Sequence, residues 1–411
     1  MSKLNELIAE LCPNGVEYKK LKEVATISRG GSFQKKDYEE SGFPCIHYGQ
    51  IYTLYGLFVE ETASFIGDIV AAKQKKAVTN DIIMAVTSEN IEDVCKCVAW
   101  LGEGEVAVSG HTAIIHHTLN PKYLVYYLHS SMFYSQKVKL AHGTKVIEVK
   151  PDSLGEIKLP VPPLEVQREI VRVLDNFTFL TAELTAELTA ELTARRKQYE
   201  FYRNRLLTFK NERIDYLTTK DIKIDSFWLM PATPKYYDTG VPYITSKNIK
   251  NGMIDFTDVK YISEADYQVI SSKRNIETGD LLITMIGTIG EAAFVRDAKK
   301  FYGQNIYLVR LDTTKVNKKY YYYYLTSPSV KNSLIAKKNA SSQGYIKAGG
   351  IENLEIPIPK LEIQNKIVEI LDRFDSLCND ISIGLPAEIA ARQKQYEYYR
   401  DKLLSFKELN A

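Results

Sequence analysis

The chain contains a near-copy of part of itself, and that copy restricts the fold more than any other feature. Shifting the sequence by 197 places lays residues 157–209 over residues 354–406 without a gap, with 25 identities in 53 positions. Pro160, Pro162, Leu164, Glu165 and Gln167 return as Pro357, Pro359, Leu361, Glu362 and Gln364, and Lys197-Gln198-Tyr199-Glu200 returns as Lys394-Gln395-Tyr396-Glu397. Internal repetition at this level means one structural unit used twice. At 411 residues the chain exceeds one ordinary core, and the period divides it into two units of ordinary domain size.

Both repeated segments read as long helices. Each follows a Pro-x-Pro stretch suited to extended backbone, and apolar residues then recur at helical spacing through Ile170, Leu174, Phe177, Leu184 and Leu188. About 45 residues at roughly 1.5 Å each make an element close to 70 Å long, which needs a partner along its length. Its own copy is the natural partner, packed antiparallel. In the second copy Gly384 and Pro386 predict a kink or restart near Ser382.

Between the helices lie two regions of about 130 residues, with short apolar runs punctuated by turn residues. They share only a framework: Asp81-Ile82-Ile83-Met84 answers Asp280-Leu281-Leu282-Ile283, and Tyr126-Tyr127-Leu128 answers Tyr323-Tyr324-Leu325. The expected fold is α+β with a pseudo-twofold internal repeat. An N-terminal amphipathic segment occupies 1–15, strand-rich domains occupy 16–156 and 211–353, and helices occupy 157–210 and 354–411. Helices kept near half identity around diverged domains describe two different readers on one scaffold.

Charge adds a modest signal. The net charge is only +2, but residues 211–350 carry 20 Lys and Arg against 14 Asp and Glu, whereas residues 1–150 carry 16 against 17. No apolar run approaches the roughly 18 residues of a membrane span, and the start mixes Lys3, Glu6 and Glu10 with leucines. A soluble cytoplasmic chain with no membrane partner is expected. Five cysteines, none at matching places in the repeat, point to reduced thiols.

The chain resembles the specificity subunit of type I restriction-modification systems, particularly the type IC branch. The residues that carry this are CPNGVEYKKL near the start, LTAELTAEL in the central helix and ARQKQYEYYRDKLLSF near the end, within an alternation that spans essentially the whole chain. The resemblance implies two strand-rich target-recognition domains separated by two long antiparallel conserved helices. Each domain would read one half of an asymmetric bipartite target in double-stranded DNA, while the helices set the gap and dock two modification (methyltransferase) subunits. Restriction subunits would join through that core. The family subunit is not an enzyme and binds no cofactor itself; S-adenosylmethionine belongs to the modification subunit, and ATP and magnesium to the restriction subunit.

The TAEL tetrapeptide has a mechanical reading of its own. Four residues overshoot the 3.6-residue turn by about 40° and add about 6 Å of rise, while one base-pair step of B-DNA rotates by roughly 34°. The repeat count can therefore set both separation and phase of two domains on a duplex. Slippage within a tolerant helix is the plain alternative.

The sequence carries no complete catalytic motif. The only Pro-Pro, Pro162-Pro163, follows Val161 and leads into a helix, so there is no Asn-Pro-Pro-aromatic methyltransferase pocket. Gly287-Thr288-Ile289-Gly290 lacks the Lys-Ser/Thr of a Walker loop. Pro151-Asp152 with Glu156-Ile157-Lys158 imitates a nuclease motif, but three intervening residues are too few to bring strands around a metal. Cys95 and Cys97 with His111, His116 and His117 lack structural zinc spacing, so no metal is assigned.

Lys and Arg attract phosphates without regard to sequence, while polar side chains on loops read base edges. Candidate contacts combine the two. In the first domain they are Ser32, Lys35, Lys36, Lys73, Lys75, Lys76, His111 and Thr112; in the second, Ser246, Lys247, Asn248, Gly287, Thr288, Gln304, Asn305, Ser341, Ser342, Gln343 and Lys347. The run Tyr320-Tyr321-Tyr322-Tyr323-Tyr324 could stack bases, but its helical continuation favours core packing. The alternatives are a spacer scaffold that reads no DNA and a fused methyltransferase or nuclease. Sequence enrichment from random duplexes separates the three.

Overall fold

Runs such as Ile82-Ile83-Met84 and Leu281-Leu282-Ile283, apolar at every position, dictate strands covered on both faces. The structure, a computed structural model, describes residues 3–209, 213–231, 234–250, 252–296, 299–337, 344–380 and 383–409. It divides into two compact units, residues 1–187 with 389–411, and residues 188–388.

In the first unit one sheet runs in the order Ala25–Arg29, Thr112–His117, Ile82–Ala85, Cys97–Trp100, Phe58–Val59. Its last join is parallel and the others are antiparallel. Alternate side chains serve two cores, as the pleat requires. Ile83, Ala85, Val98 and Ile114 meet Ile46 and Val108 of a second five-stranded sheet. Ile82, Met84, Cys97 and Ile115 face the other way, onto Leu124, Val125 and Tyr127 of the helix Pro121–Leu128.

The second unit repeats this plan with its own sequence. Strands Lys223–Leu229, Ile306–Leu311, Leu281–Thr284 and Ala292–Phe294 form the main sheet. Leu282, Ile306 and Leu308 face the smaller sheet, where Val241 and Tyr243 lie, and Leu281, Ile283 and Val309 face the helix Lys318–Leu325.

One constellation seats each sheet domain on a long helix, and it explains many of the repeated residues. In the first unit, buried Gln167 accepts from the Asn120 amide at 2.9 Å and donates to the Pro162 carbonyl at 2.7 Å. Asn120 caps the helix Pro121–Leu128, Tyr123 reaches the Pro160 carbonyl, and Lys122 and Tyr126 both bond Asp175 at 2.8 Å. In the second unit Gln364, Asn317, Tyr320, Lys319, Tyr323 and Asp372 make the same bonds. Tyr320, Tyr321 and Tyr323 are buried, so the tyrosine run is packing.

The first long helix is Leu164–Leu206, 43 residues without a break, and the division between units falls inside it. Within the first unit Phe177 stacks on Tyr399, with centroids 5.9 Å apart, and Thr178 bonds Tyr396 at 2.9 Å, an antiparallel register. Within the second unit Tyr199 and Tyr202 stack on Phe374 at 6.1 and 5.6 Å. The second long segment stops at Asn379 and restarts at Leu385. Ser382 lies outside the described residues. A β-carbon on Gly384 would fall 2.5–2.8 Å from the carbonyl oxygens of Ser376, Asp380 and Leu377, so only glycine lets the chain fold back there. The N-terminal helix Lys3–Leu11 packs Leu4, Leu7 and Ile8 against Ile170, Leu174 and Leu404.

Burial also sets an acid limit on the first unit. His129, its Nε2 2.9 Å from the Cys97 carbonyl, is pushed down to about 4 by burial. The unfolded chain takes up that proton near the ordinary value of about 6.5 and the folded chain only near 4. Between these limits the unfolded state binds more protons, so stability falls as the pH drops through that window, by up to about 1.4 kcal/mol per pH unit. Denaturant titrations at pH 7, 5.5 and 4 check this: His129→Gln should flatten that part of the profile.

Candidate nucleic-acid interface

At one end of the first unit's main sheet, the strand Ala25–Arg29 finishes beside the start of Thr112–His117. The connections there are tight because glycines permit them. A β-carbon on Gly30 would lie 2.0 Å from the Ser109 carbonyl oxygen and 2.6 Å from the Thr112 hydroxyl. Gln74 fastens the next loop from the far side, accepting from the Ser32 and Phe33 amides at 2.7 and 3.2 Å and donating to the Val70 carbonyl at 3.1 Å.

These loops enclose a groove of about 450 Å³, whose walls include Arg29, Ser32, Gln34, Lys73, Lys75 and His111. Lys35, Lys36, Lys73, Lys75 and His111 are exposed. His111 packs on Tyr48, with ring centroids 5.0 Å apart, and Tyr48 on His47 at 4.4 Å. His47 accepts from the Gly49 amide through Nδ1. Burial, then the nearby charges of His111 and Lys35, hold its imidazole below the ordinary value. The groove thus has cations on its walls and an imidazole on an aromatic support.

The second unit brings its candidates to the equivalent end. Gln304 follows the parallel strand and donates its amide to the Ile244 carbonyl at 3.1 Å, as Ser109 does to Ile46. Asn305 adopts φ +62° and donates its amide to Leu229 at 2.9 Å. Asparagine tolerates that left-handed backbone better than most residues. Gly287, at φ +75°, lies beside Ser246, and exposed Thr288 follows it. Ile286 bridges Tyr345, and exposed Lys347 stands at the N-cap of Ala348–Glu352. Ser341, Ser342 and Gln343 lie outside the described residues.

Three candidates are committed elsewhere. Thr112 is fully buried with its hydroxyl given to the Ser109 carbonyl. Asn248 is buried and donates to the carbonyls of Asp255 and Asp258 at 3.0 and 2.9 Å. Lys76 pairs with Glu105 at 2.8 Å and lies over the Phe43 ring. Sequence reasoning passed over Arg29 and Gln34; the placement of Arg29 directly before Gly30-Gly31 was the available signal. The nuclease-like Glu156 is held by Lys20 and Lys22 at 2.6 and 2.5 Å, which pull it down to about 2. Cys95 and Cys97 are core residues and His116 bonds Asp81. No group of metal-ligating residues forms among the described residues, and no helix among them is long and apolar enough to cross a membrane.

A sheet end carrying cations and polar loops, present once in each of two homologous units, defines a duplicated recognition architecture. The family model for the type I restriction modification DNA specificity domain matches residues 13–194 and 229–391. The chain belongs to that family of specificity subunits. It is 36% identical over 265 residues to the EcoR124I/EcoR124II specificity subunit of Escherichia coli, an alignment spanning 61% of this chain and 63% of that one. It is 34% identical to a putative type I restriction enzyme specificity subunit of Haemophilus influenzae, over 74% of this chain and 77% of that one. The fold matches a chain of a type I R-M system, solved to explain its complex assembly and conformational transition, at TM-score 0.68 and 17% identity over 95% of this chain and 98% of that one. The HsdS subunit of Thermoanaerobacter tengcongensis matches at TM-score 0.54 and 16% identity, over 96% and 97% of the two chains.

Proposed function

We propose that the chain is the non-catalytic, DNA-reading subunit of a type I restriction-modification complex in the cytoplasm. Residues 16–156 and 211–353 each read one half of an asymmetric bipartite target. The observation that carries this is the groove with Lys73, Lys75 and His111 in the first unit, matched at the same sheet end by Ser246, Thr288, Gln304 and Asn305 in the second. Lysines supply phosphate attraction, and Gln or Asn can bond an adenine edge through two atoms. The contact set consists of Ser32, Lys35, Lys36, Lys73, Lys75, His111, Ser246, Lys247, Gly287, Thr288, Gln304, Asn305, Ser341, Ser342, Gln343 and Lys347; Thr112, Asn248 and Lys76 are left out because backbone carbonyls engage the first two and the Glu105 carboxylate the third.

The helices hold the two readers and dock two modification subunits, with restriction subunits joining through them. Support for docking comes from Phe201 and Tyr398, which occupy the same place in the repeat and are 58% and 61% exposed. S-adenosylmethionine then belongs to the modification subunit, and ATP and magnesium to the restriction subunit. The absence of methyltransferase and Walker motifs from the sequence fits that division.

Selection from random duplexes with the chain assembled on its modification subunits tests the reading. Two short motifs at one fixed spacing are expected, and no enrichment would reject it. Deleting residues 189–192 removes about 6 Å of helix and about 40° of phase, so the same selection should return both half-sites about one to two base pairs closer together. An unchanged gap would reject the spacer role.

A further inference from the structure

The first unit's groove has Lys73 and Lys75 on the turn that precedes Asp81, and no comparable lysine run precedes Asp280 in the second unit to advertise an equivalent. Backbone hydrogen bonds reveal one. In the first unit the Val78 amide donates to the Asp81 carboxylate at 2.9 Å, Asn80 adopts φ +78°, and the Asn80 amide donates to the Trp100 carbonyl. In the second unit the Glu277 amide donates to Asp280 at 2.8 Å, Gly279 adopts φ +90°, and the Gly279 amide donates to the Val295 carbonyl. All three features coincide at an offset of 199, which sets Lys273 and Arg274 against Gln74 and Lys75.

Side-chain contacts run from this turn along the sheet to its reading end. Arg274 donates through Nη1 to the Trp228 carbonyl at 2.9 Å and lies over Phe227 at 5.6 Å, one and two residues before Leu229, whose carbonyl accepts from Asn305. Tyr302, two residues before Gln304, donates to the Arg274 carbonyl at 3.2 Å, and Arg310 holds the Asn275 carbonyl at 3.1 Å. The turn is therefore tied through Tyr302 and Arg310 to the two strands that flank Gln304 and Asn305, and through Trp228 to the strand paired beside them. Both Lys273 and Arg274 are exposed.

We propose that Lys273 and Arg274 grip the phosphodiester backbone of the half-site read by the second unit, as Lys73 and Lys75 do for the first. This rests on the reading of the chain as a DNA specificity subunit. Lys273 acts as a compact charge, and Arg274 is a guanidinium whose direction is set by Trp228 and Phe227. Such contacts position the domain on the duplex and carry no base preference of their own.

The test uses the full chain assembled with its modification subunits and a labelled 30-base-pair duplex of unrelated sequence, titrated between 50 and 200 mM salt. Each phosphate contact contributes about 0.9 to the slope of log affinity against log salt. Lys273→Ala should therefore lower that slope by about 1, Lys273→Ala with Arg274→Gln by about 2, and Lys273→Glu should weaken binding further. The selected target and an unrelated duplex should weaken alike. An unchanged slope in these variants, alongside a reduced slope in Lys73→Ala with Lys75→Ala, would overturn the proposal and leave the DNA-reading function standing. Unchanged slopes in both sets would overturn both. A loss confined to the selected target would show base readout instead and would also overturn the phosphate assignment.

Discussion

Replacing Gln364 with leucine is expected to destabilise the second unit by about 4 kcal/mol, although the volumes are similar. The side chain is fully buried and satisfies two backbone groups at once, the Asn317 amide at 2.8 Å and the Pro359 carbonyl at 2.8 Å. Leaving a buried donor or acceptor unmet costs about 1–3 kcal/mol each, and both would be unmet. The damage is local in kind. Asn317 caps the helix Lys318–Leu325, whose Lys319 and Tyr323 hold Asp372, so loosening the cap loosens the seat of the sheet domain. Amide hydrogen exchange reads this directly: residues 317–325 should lose protection by about a thousandfold, following the arithmetic of about 1.4 kcal/mol per decade. Gln167→Leu should do the same to residues 120–128, with the same two bonds removed there. Unchanged protection in both variants would mean that these glutamines do not hold the seats.

Gly30→Ala is expected to erase sequence preference in one half-site while leaving the other intact. The new methyl would stand 2.0 Å from a backbone oxygen, where a Cβ needs at least about 3 Å, and neither Ser109 nor Gly30 can rotate away. The loop after Arg29 must move by about an ångström, taking Ser32 and the wall of the groove with it. Base contacts tolerate little displacement, and each pair read is worth about 1–3 kcal/mol. Selection with this variant in the assembled complex should return one motif of two. Recovery of both motifs at full information content would show that the loop does not contribute to readout.

The sequence was most informative where both copies of the repeat satisfy the same requirement. Gln167 and Gln364, or Asp175 and Asp372, stand out as identities because each unit needs the same buried bond partner on its long helix. Runs such as Leu281-Leu282-Ile283 announced strands with two covered faces, and Gly384 with Pro386 announced the break between Asn379 and Leu385.

Side-chain allegiance was not readable in that way. Lys75 and Lys76 are adjacent and identical in type, yet Lys75, in the turn, lines the groove, while Lys76, the first residue of the strand Lys76–Ala77, pairs with Glu105. Thr112 and Asn248 have the chemistry of base readers, but the backbone carbonyls of Ser109, Asp255 and Asp258, brought round by tight turns of the chain, occupy their polar atoms. At the matched positions Lys273 and Arg274 are identical to neither Gln74 nor Lys75, and the hydrogen bonds at Asp81 and Asp280 extend into the two turns the register that residues 81–84 and 280–283 begin.

From sequence alone came the duplication, the helices and the division of labour between a kept scaffold and diverged domains, since periodicity and identity are properties of a linear string. The tertiary structure decided which polar groups remain available to a ligand. A side chain's hydrogen-bonding capacity is finite, and which partners reach it is set by how the backbone turns around it, near or far along the chain, rather than by its residue type.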